Sequence, residues 1–395
     1  MPDRPFVLDW ATDWDHIGRQ YHESAPEVWD ELRERCPVAH TGRFEGAWLP
    51  VLAADITAVA HDPTTFSSVE VNLFDVKPKR MLFVPPITAD PPDHTAYRRV
   101  MLPRFTLQEM DKLAPATEAI CNQLIDRFIN DGSADAGVDY AQHVPTLVTA
   151  KLLGLPDSDA DQFRQWIHEL IELGQDDIQI GRRATLEVLD YFADQLNQRR
   201  QQGGDDLTAL VAKAEIDGVP MPERTQAAML LVLLIGGIDT TWTTLGAALL
   251  HLATHAEDQA RLRAEPELLE TALEEFLRFY APVEIGRLVT HDTEVGGCPV
   301  AAGEHVWLSY PAANRDPSVF PDADRFIIDR RENRHLTFGV GVHRCLGSNL
   351  ARMELRVALD TWLKRVPSFR VPDGRSIGWS SGGNVRGPRE IPVVF

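Results

Sequence analysis

The sequence predicts a mainly α-helical body with a small β-rich lobe, and three observations lead there. From about residue 111 to 280, apolar residues recur every three or four positions, as in DKLAPATEAICNQLIDRFI, ADQFRQWIHELIEL and GRRATLEVLDYFADQLNQRR. That is the period of amphipathic helices. Within this stretch the longest apolar run, Ala227 to Ile238, is closed by Asp239; it is too short to cross a bilayer and reads as a buried core helix. After Pro282 the period changes, and EIGRLVTHDTEVGGCPVAAGEHVWLSYP alternates apolar and polar residues between glycine turns, which suits short strands.

The remaining elements follow from local signals. Residues 1–25 read as an N-terminal extension, and PEVWDELRERC (26–36) has helical spacing. VAHTGRFEGAWLPVLA (38–53), with glycines at 42 and 46, predicts a twisted hairpin. The proline-rich FVPPITADPPDH (83–94) is expected to be an ordered loop feeding a helix that starts near Asp93. QGGDD (202–206) is a turn between helices, too short to link domains. A last helix should run from about Leu346 to Lys364, with Pro367 just past its end. No repeat or low-complexity tract interrupts this order, so residues 1–395 are expected to form one domain with no separable parts.

Composition narrows the function. With 44% hydrophobic and 25% charged residues the chain has ample material for a core. Fifty-nine acidic against 39 basic residues leave a net charge of −20, which argues against nucleic acid or an anionic membrane as the main partner. A local basic patch remains compatible with docking an acidic protein. Cys36, Cys121, Cys298 and Cys345 are scattered without a C-x-x-C pair, so neither a disulfide framework nor a zinc knuckle is indicated and a reducing cytoplasm is expected. MPDRPFVLDWATDWDHIG carries no secretory signal pattern.

The segment FGVGVHRCLG (338–347) sets Cys345 among three glycines at the mouth of the last helix. A helix N-terminus offers free N–H groups and partial positive charge, which favour thiolate over thiol. Gly339, Gly341 and Gly347 let the backbone turn inward and a flat ligand lie against it. A thiolate held this way is a good ligand for a soft metal such as haem iron. A buried packing cysteine fits the same loop. Zinc would need partners that His343 alone does not supply. Neither a G-x-G-x-x-G fingerprint nor a serine-hydrolase elbow is present.

Phe338, Gly339, Gly341, His343, Cys345 and Gly347 resemble the haem-binding signature F-G-x-G-x-H-x-C-x-G of the cytochrome P-450 family. The resemblance implies the family fold, with haem b between the central helix and the cysteine-loop helix. It makes Cys345 the proximal ligand of the iron, packs Phe338 near the sulfur and points His343 at a propionate. LLIGGIDTTW (233–242) places two glycines and an aspartate in an apolar helix, costly choices without a function, since an interior glycine costs about 1 kcal/mol. It resembles the family's oxygen-activation motif: Thr240 would hold dioxygen or a water, and Asp239 would relay protons. Gly236 stands where many relatives carry alanine.

TALEEFLRFYAP (271–282) sets Glu275 and Arg278 three apart on a helix face. In the family's E-x-x-R reading, Glu275, Arg278 and Arg325, the last from FPDADRF (320–326), form a buried structural triad. The propionates would fall to His94 and Arg98 of DPPDHTAYRR, to Arg287 and to His343, four donors for two carboxylates.

The resemblance thus implies a haem-thiolate monooxygenase of the soluble bacterial type, which hydroxylates or oxidatively dealkylates a small hydrophobic substrate with dioxygen. Electrons would come from a ferredoxin and its ferredoxin reductase, so that NAD(P)H acts only indirectly. A basic docking face is expected from Arg98, Arg99, Arg104, Arg344 and Arg352. A peroxide-driven peroxygenase and a non-catalytic haem sensor are the competing classes; the Asp239–Thr240 pair speaks for dioxygen. Expected pocket walls are Leu82, Phe83 and Val84, Leu233, Leu234 and Gly237, Val283 and Ile285, and the turn 380–384. Lys77, Lys79 and Arg80 would either hold an acidic substrate tail or form a solvated loop.

Overall fold

The computed structural model describes residues 4–74, 82–174, 177–381 and 383–395; Lys77, Lys79 and Arg80 lie outside the described residues. The helices that matter for the site are α1 (Arg19–Arg35), α2 (Asp93–Met101), α3 (His143–Leu153), α4 (Ile178–Gln202), α5 (Glu223–Thr254), α6 (Leu269–Phe279) and α7 (Ser348–Arg365). α1 starts earlier than its spacing suggests and kinks at Ser24, just before Pro26, whose missing N–H cannot continue the ladder. α4 is capped by the Asp177 carboxylate, which accepts from Gln179 N–H at 2.8 Å, and ends at Gly203 with φ 78°.

The β lobe is a five-stranded sheet of β1 (Val38–Thr41), β2 (Ala47–Pro50), β3 (Phe66–Ser67), β4 (Glu284–Val289) and β5 (His305–Ser309), in the order β1-β2-β5-β4-β3. The β1–β2 hairpin is antiparallel as its glycines suggest, and β5 joins it in parallel. Near the C-terminus β6 (Trp379–Ser381) pairs antiparallel with β7 (Arg386–Pro388). One short hairpin, Glu215–Ile216 with Val219–Pro220, interrupts the helical stretch unannounced in our reading. Its signal was present in Asp217–Gly218, which take φ 52° and 79° at the turn.

α5 runs through the largest core cluster, where Leu230, Leu234, Ile238 and Leu245 meet Val148 of α3, Phe192 of α4 and Leu350 of α7. Among the described residues it is the one helix long and apolar enough to cross a bilayer, yet 67% of its apolar window is buried inside the fold. A second cluster ties Trp10, Trp14 and Tyr21 to Trp29 and Trp307, so the described part of the N-terminal segment packs against the sheet. The site lies where α5, α2 and the loop before α7 converge.

Candidate active site

The Cys345 loop is built by its glycines. Gly339 and Gly341 take φ 65° and 72°, and a Cβ on Gly341 would sit 2.3 Å from the Ala60 carbonyl. Cys345 N–H closes the loop on the Phe338 carbonyl at 2.7 Å, and Phe338 is held from outside by the Arg352 guanidinium, 4.5 Å from its ring centre. The thiol is half-buried. Burial pushes its pKa up, opposed by the Gly347 N–H and by the charges of Arg98, Arg344 and Arg352. The helix-start effect is therefore present but outweighed by burial.

On α5 the residues sort by face. Gly236 is exposed and nothing lies within 4 Å of where its Cβ would be, while Leu233 and Thr240 are partly exposed on the same side. These positions, three and four apart, open a groove along an otherwise buried helix. Thr240 Oγ1 donates to the Gly236 carbonyl at 2.8 Å, which fixes the hydroxyl at the groove's floor. Asp239 is 1% exposed and faces elsewhere: its Oδ1 lies 2.8 Å from Arg389 Nη2. No hydrogen bond joins Asp239 to Thr240 among the described residues.

A cluster of basic side chains lies beside the loop. Arg287 is 3% exposed, and the one hydrogen bond of its guanidinium among the described residues goes to the Gly286 carbonyl at 2.7 Å. His94 is 2% exposed with neither ring nitrogen partnered among the described residues. Its ring centre is 4.2 Å from that of His343, whose Nε2 meets Ser68 Oγ at 2.9 Å. Burial pushes the His343 pKa down to about 3, helped by Arg287, His94 and Arg98. Buried donors without acceptors are costly, and this set is what two carboxylates of a flat ligand would satisfy. The donor set fits haem.

Comparison with known proteins decides the family. The cytochrome P450 description matches residues 158–375. The chain is 33% identical over 375 residues to the mycinamicin IV hydroxylase/epoxidase of Micromonospora griseorubida, covering 92% of this chain and 94% of that one. It is 36% identical over 378 residues to the nocardicin C N-oxygenase of Nocardia uniformis subsp. tsuyamanensis, covering 92% of each. Among solved structures, the Bacillus subtilis 168 bacillaene polyketide synthase cytochrome P450 PksS superposes with a TM-score of 0.88 at 29% identity, over 96% of this chain and 99% of that one. The chain belongs to the cytochrome P450 family. It is an oxidoreductase of the haem-thiolate monooxygenase class, and membership implies haem b, an external electron donor and a small hydrophobic substrate.

The P450 charge triad needs one correction. Glu275 and Arg278 are fully buried and paired through two hydrogen bonds of 2.8 and 2.7 Å. The second guanidinium on Glu275 belongs to Arg330, with Nε at 3.2 and 3.1 Å from the two carboxylate oxygens. Arg325 has an exposed side chain and contributes only its carbonyl, which accepts from Arg278 Nη2 at 2.8 Å. Both arginines lie in one irregular segment, and only its path decides which turns inward.

The pocket expectations divide likewise. Leu82 and Val84 are partly buried against the main core, Phe83 is 48% exposed with its ring against Tyr97, and Val283 and Ile285 are half-buried. Leu234 and Gly237 do not face the groove. Leu234 is fully buried in the core, and a Cβ on Gly237 would meet Thr149 Oγ1 of α3 at 2.8 Å. Of the expected docking arginines, Arg99 and Arg344 are exposed. Arg104 is ion-paired with Asp205, and Arg352 is spent on Glu274 through contacts of 2.6 and 2.8 Å. Our reading missed Arg330, Ser68, Glu172 and Arg389, which no short-range pattern distinguishes.

Proposed function

We propose that Cys345 would ligate the haem iron, that His94, Arg98, Arg287 and His343 would receive the propionates, and that substrate is oxidised in the groove over Gly236. The observation that carries this reading is the pair of buried ring nitrogens of His94, unpartnered among the described residues, beside the buried Arg287 guanidinium, on the side of the Cys345 loop. Haem, when bound, supplies the oxygen chemistry, by which one atom of dioxygen enters the substrate and the other leaves as water. The chain's own part is positioning. Gly347 N–H and the nearby arginines favour negative charge on the sulfur, and a metal cation would add what burial takes away. Phe338 and Gly339 shape the loop around it. Gly236 leaves room, the Thr240 hydroxyl stays fixed at the groove, and Asp239 behind it supplies protons.

In the same reading, residues 1–395 act as one haem domain in the cytoplasm, reduced by a ferredoxin that a ferredoxin reductase charges from NAD(P)H. Arg99 and Arg344 are the surface charges that support docking of an acidic carrier. The apolar walls Leu82, Val84, Leu233 and Ile285 support a hydrophobic substrate, hydroxylated or oxidatively dealkylated. The test is the absorbance of the reduced, carbon monoxide-treated holoprotein. Wild type should show the strongly red-shifted Soret band of thiolate ligation, and Cys345→His should lose it while still binding haem. Retention of that band in the variant overturns the assignment.

A further inference from the structure

Asp239 stands among partners that the P450 assignment leaves unexplained. Arg389 presents three nitrogens to three acceptors. Nη2 is 2.8 Å from Asp239 Oδ1, Nε is 2.9 Å from Glu172 Oε1, and Nη1 donates to Thr243 Oγ1 at 3.0 Å. Only the bond to Thr243 is aligned as a hydrogen bond; the two carboxylate approaches are Coulombic contacts without that alignment. The guanidinium is also stacked over Trp242, 4.5 Å from its ring centre. One cation is thus anchored to α5 by Thr243 and Trp242 and shared loosely between two carboxylates.

The two carboxylates differ in access to water. The Asp239 side chain is 2% exposed and that of Glu172 is 27% exposed. Arg389 also lines a cleft of about 430 Å³ with His22, Glu23, Trp379, Ser380 and Glu390, separate from the Gly236 groove. Glu172 lies in the widened helical turn 168–173, a local geometry that often marks functional sites. Water therefore reaches this line at Glu172 and, through the cleft, at Arg389, while Asp239 lies innermost of the three and next to Thr240 in sequence. A guanidinium does not release its proton at working pH, so only the carboxylates can carry one along this line.

We propose that Arg389 and Glu172 are the positioning residues of proton supply in this enzyme: Arg389 tethers Asp239, Glu172 competes for the tether and so releases it, and protons arrive from the side of Glu172 and the cleft that Arg389 lines. The proposal rests on the reading of Asp239 and Thr240 as the proton-delivering pair. Among the described residues, the charges whose fields reach Asp239 are those of Arg389 and Glu172. Burial pushes the Asp239 carboxyl up, Arg389 pulls it down and Glu172 pushes it up again, so removing each partner acts in opposite directions.

The experiment is an infrared titration of the Asp239 carboxyl in ferric holoenzyme, the band being identified by its loss in Asp239→Asn. Arg389→Gln should raise the midpoint by roughly one pH unit or more, Glu172→Gln should lower it, and Arg389→Lys should restore it towards wild type. In turnover both glutamine variants should release more peroxide per electron pair and show a larger solvent deuterium isotope effect. Midpoints that stay put, or move in the same direction in both variants, overturn the proposal. So does unchanged coupling in both glutamine variants while Asp239→Asn uncouples, a result that leaves the Asp239–Thr240 reading standing. Full coupling in Asp239→Asn overturns that underlying reading as well.

Discussion

Replacing Arg330 with methionine should remove the second cation from a carboxylate that has no access to water. Glu275 is fully buried, and Arg330, its side chain 7% exposed, contacts both carboxylate oxygens while donating to the Pro321 and Asp322 carbonyls at 2.7 and 3.0 Å. Arg278 Nε and Nη2, the Ile327 N–H and the Asn333 amide remain on Glu275, so the charge is left under-compensated instead of bare. Breaking a buried pair from one side costs about 3–5 kcal/mol. An unfolding entropy of about 2.1 cal/mol/K per residue gives about 0.8 kcal/mol per degree for a chain of 395 residues. The apparent Tm of Arg330→Met, read by far-UV circular dichroism, should therefore fall by about 4–6 °C. Arg325→Ala keeps the carbonyl that Arg278 uses and removes an exposed side chain, so it should stay within about 1 °C of wild type. Equal losses in the two variants, or no loss in Arg330→Met, would refute the assignment of Arg330 to this network.

Three further outcomes are expected. Gly341→Ala places a Cβ against the Ala60 carbonyl in a left-handed backbone, and should cost at least about 2 kcal/mol in thermal unfolding and loosen haem retention on gel filtration. Gly236→Ala meets nothing and should stabilise α5 by up to about 1 kcal/mol, whereas Gly237→Ala collides with Thr149 and should lower Tm; the opposite signs are the check. Burial raises the Glu274 carboxyl, but hydrogen bonds from Arg352 and His335 outweigh it and bring the pKa down to about 2, against 4.5 for a free carboxyl. A depressed folded-state pKa stabilises the fold above the unfolded value, and that contribution is lost as protons bind. Denaturant curves of wild type and Glu274→Gln should thus differ at neutral pH and converge as pH falls from about 4.5 towards 2.

Much of the site was legible because its signals are local. Cys345 and its glycines lie in one loop and Glu275 and Arg278 stand three apart on one helix face, while Asp239 and Thr240 are neighbours in sequence whose side chains turn to different sides of α5. The same locality made the α-helical body, the β1–β2 hairpin and the start of α2 at Asp93 readable in advance. Tertiary structure alone decided which arginine reaches Glu275. It also decided which face of α5 opens: Gly236 and Thr240 look into the groove, while Leu234 and Gly237 are taken up by α3 and the core. The link from Glu172 through Arg389 to Asp239 joins three distant parts of the chain. Such contacts depend on how packed elements cross, and adjacent arginines or glycines differ in direction though not in chemistry; that direction is set only when the core closes around them.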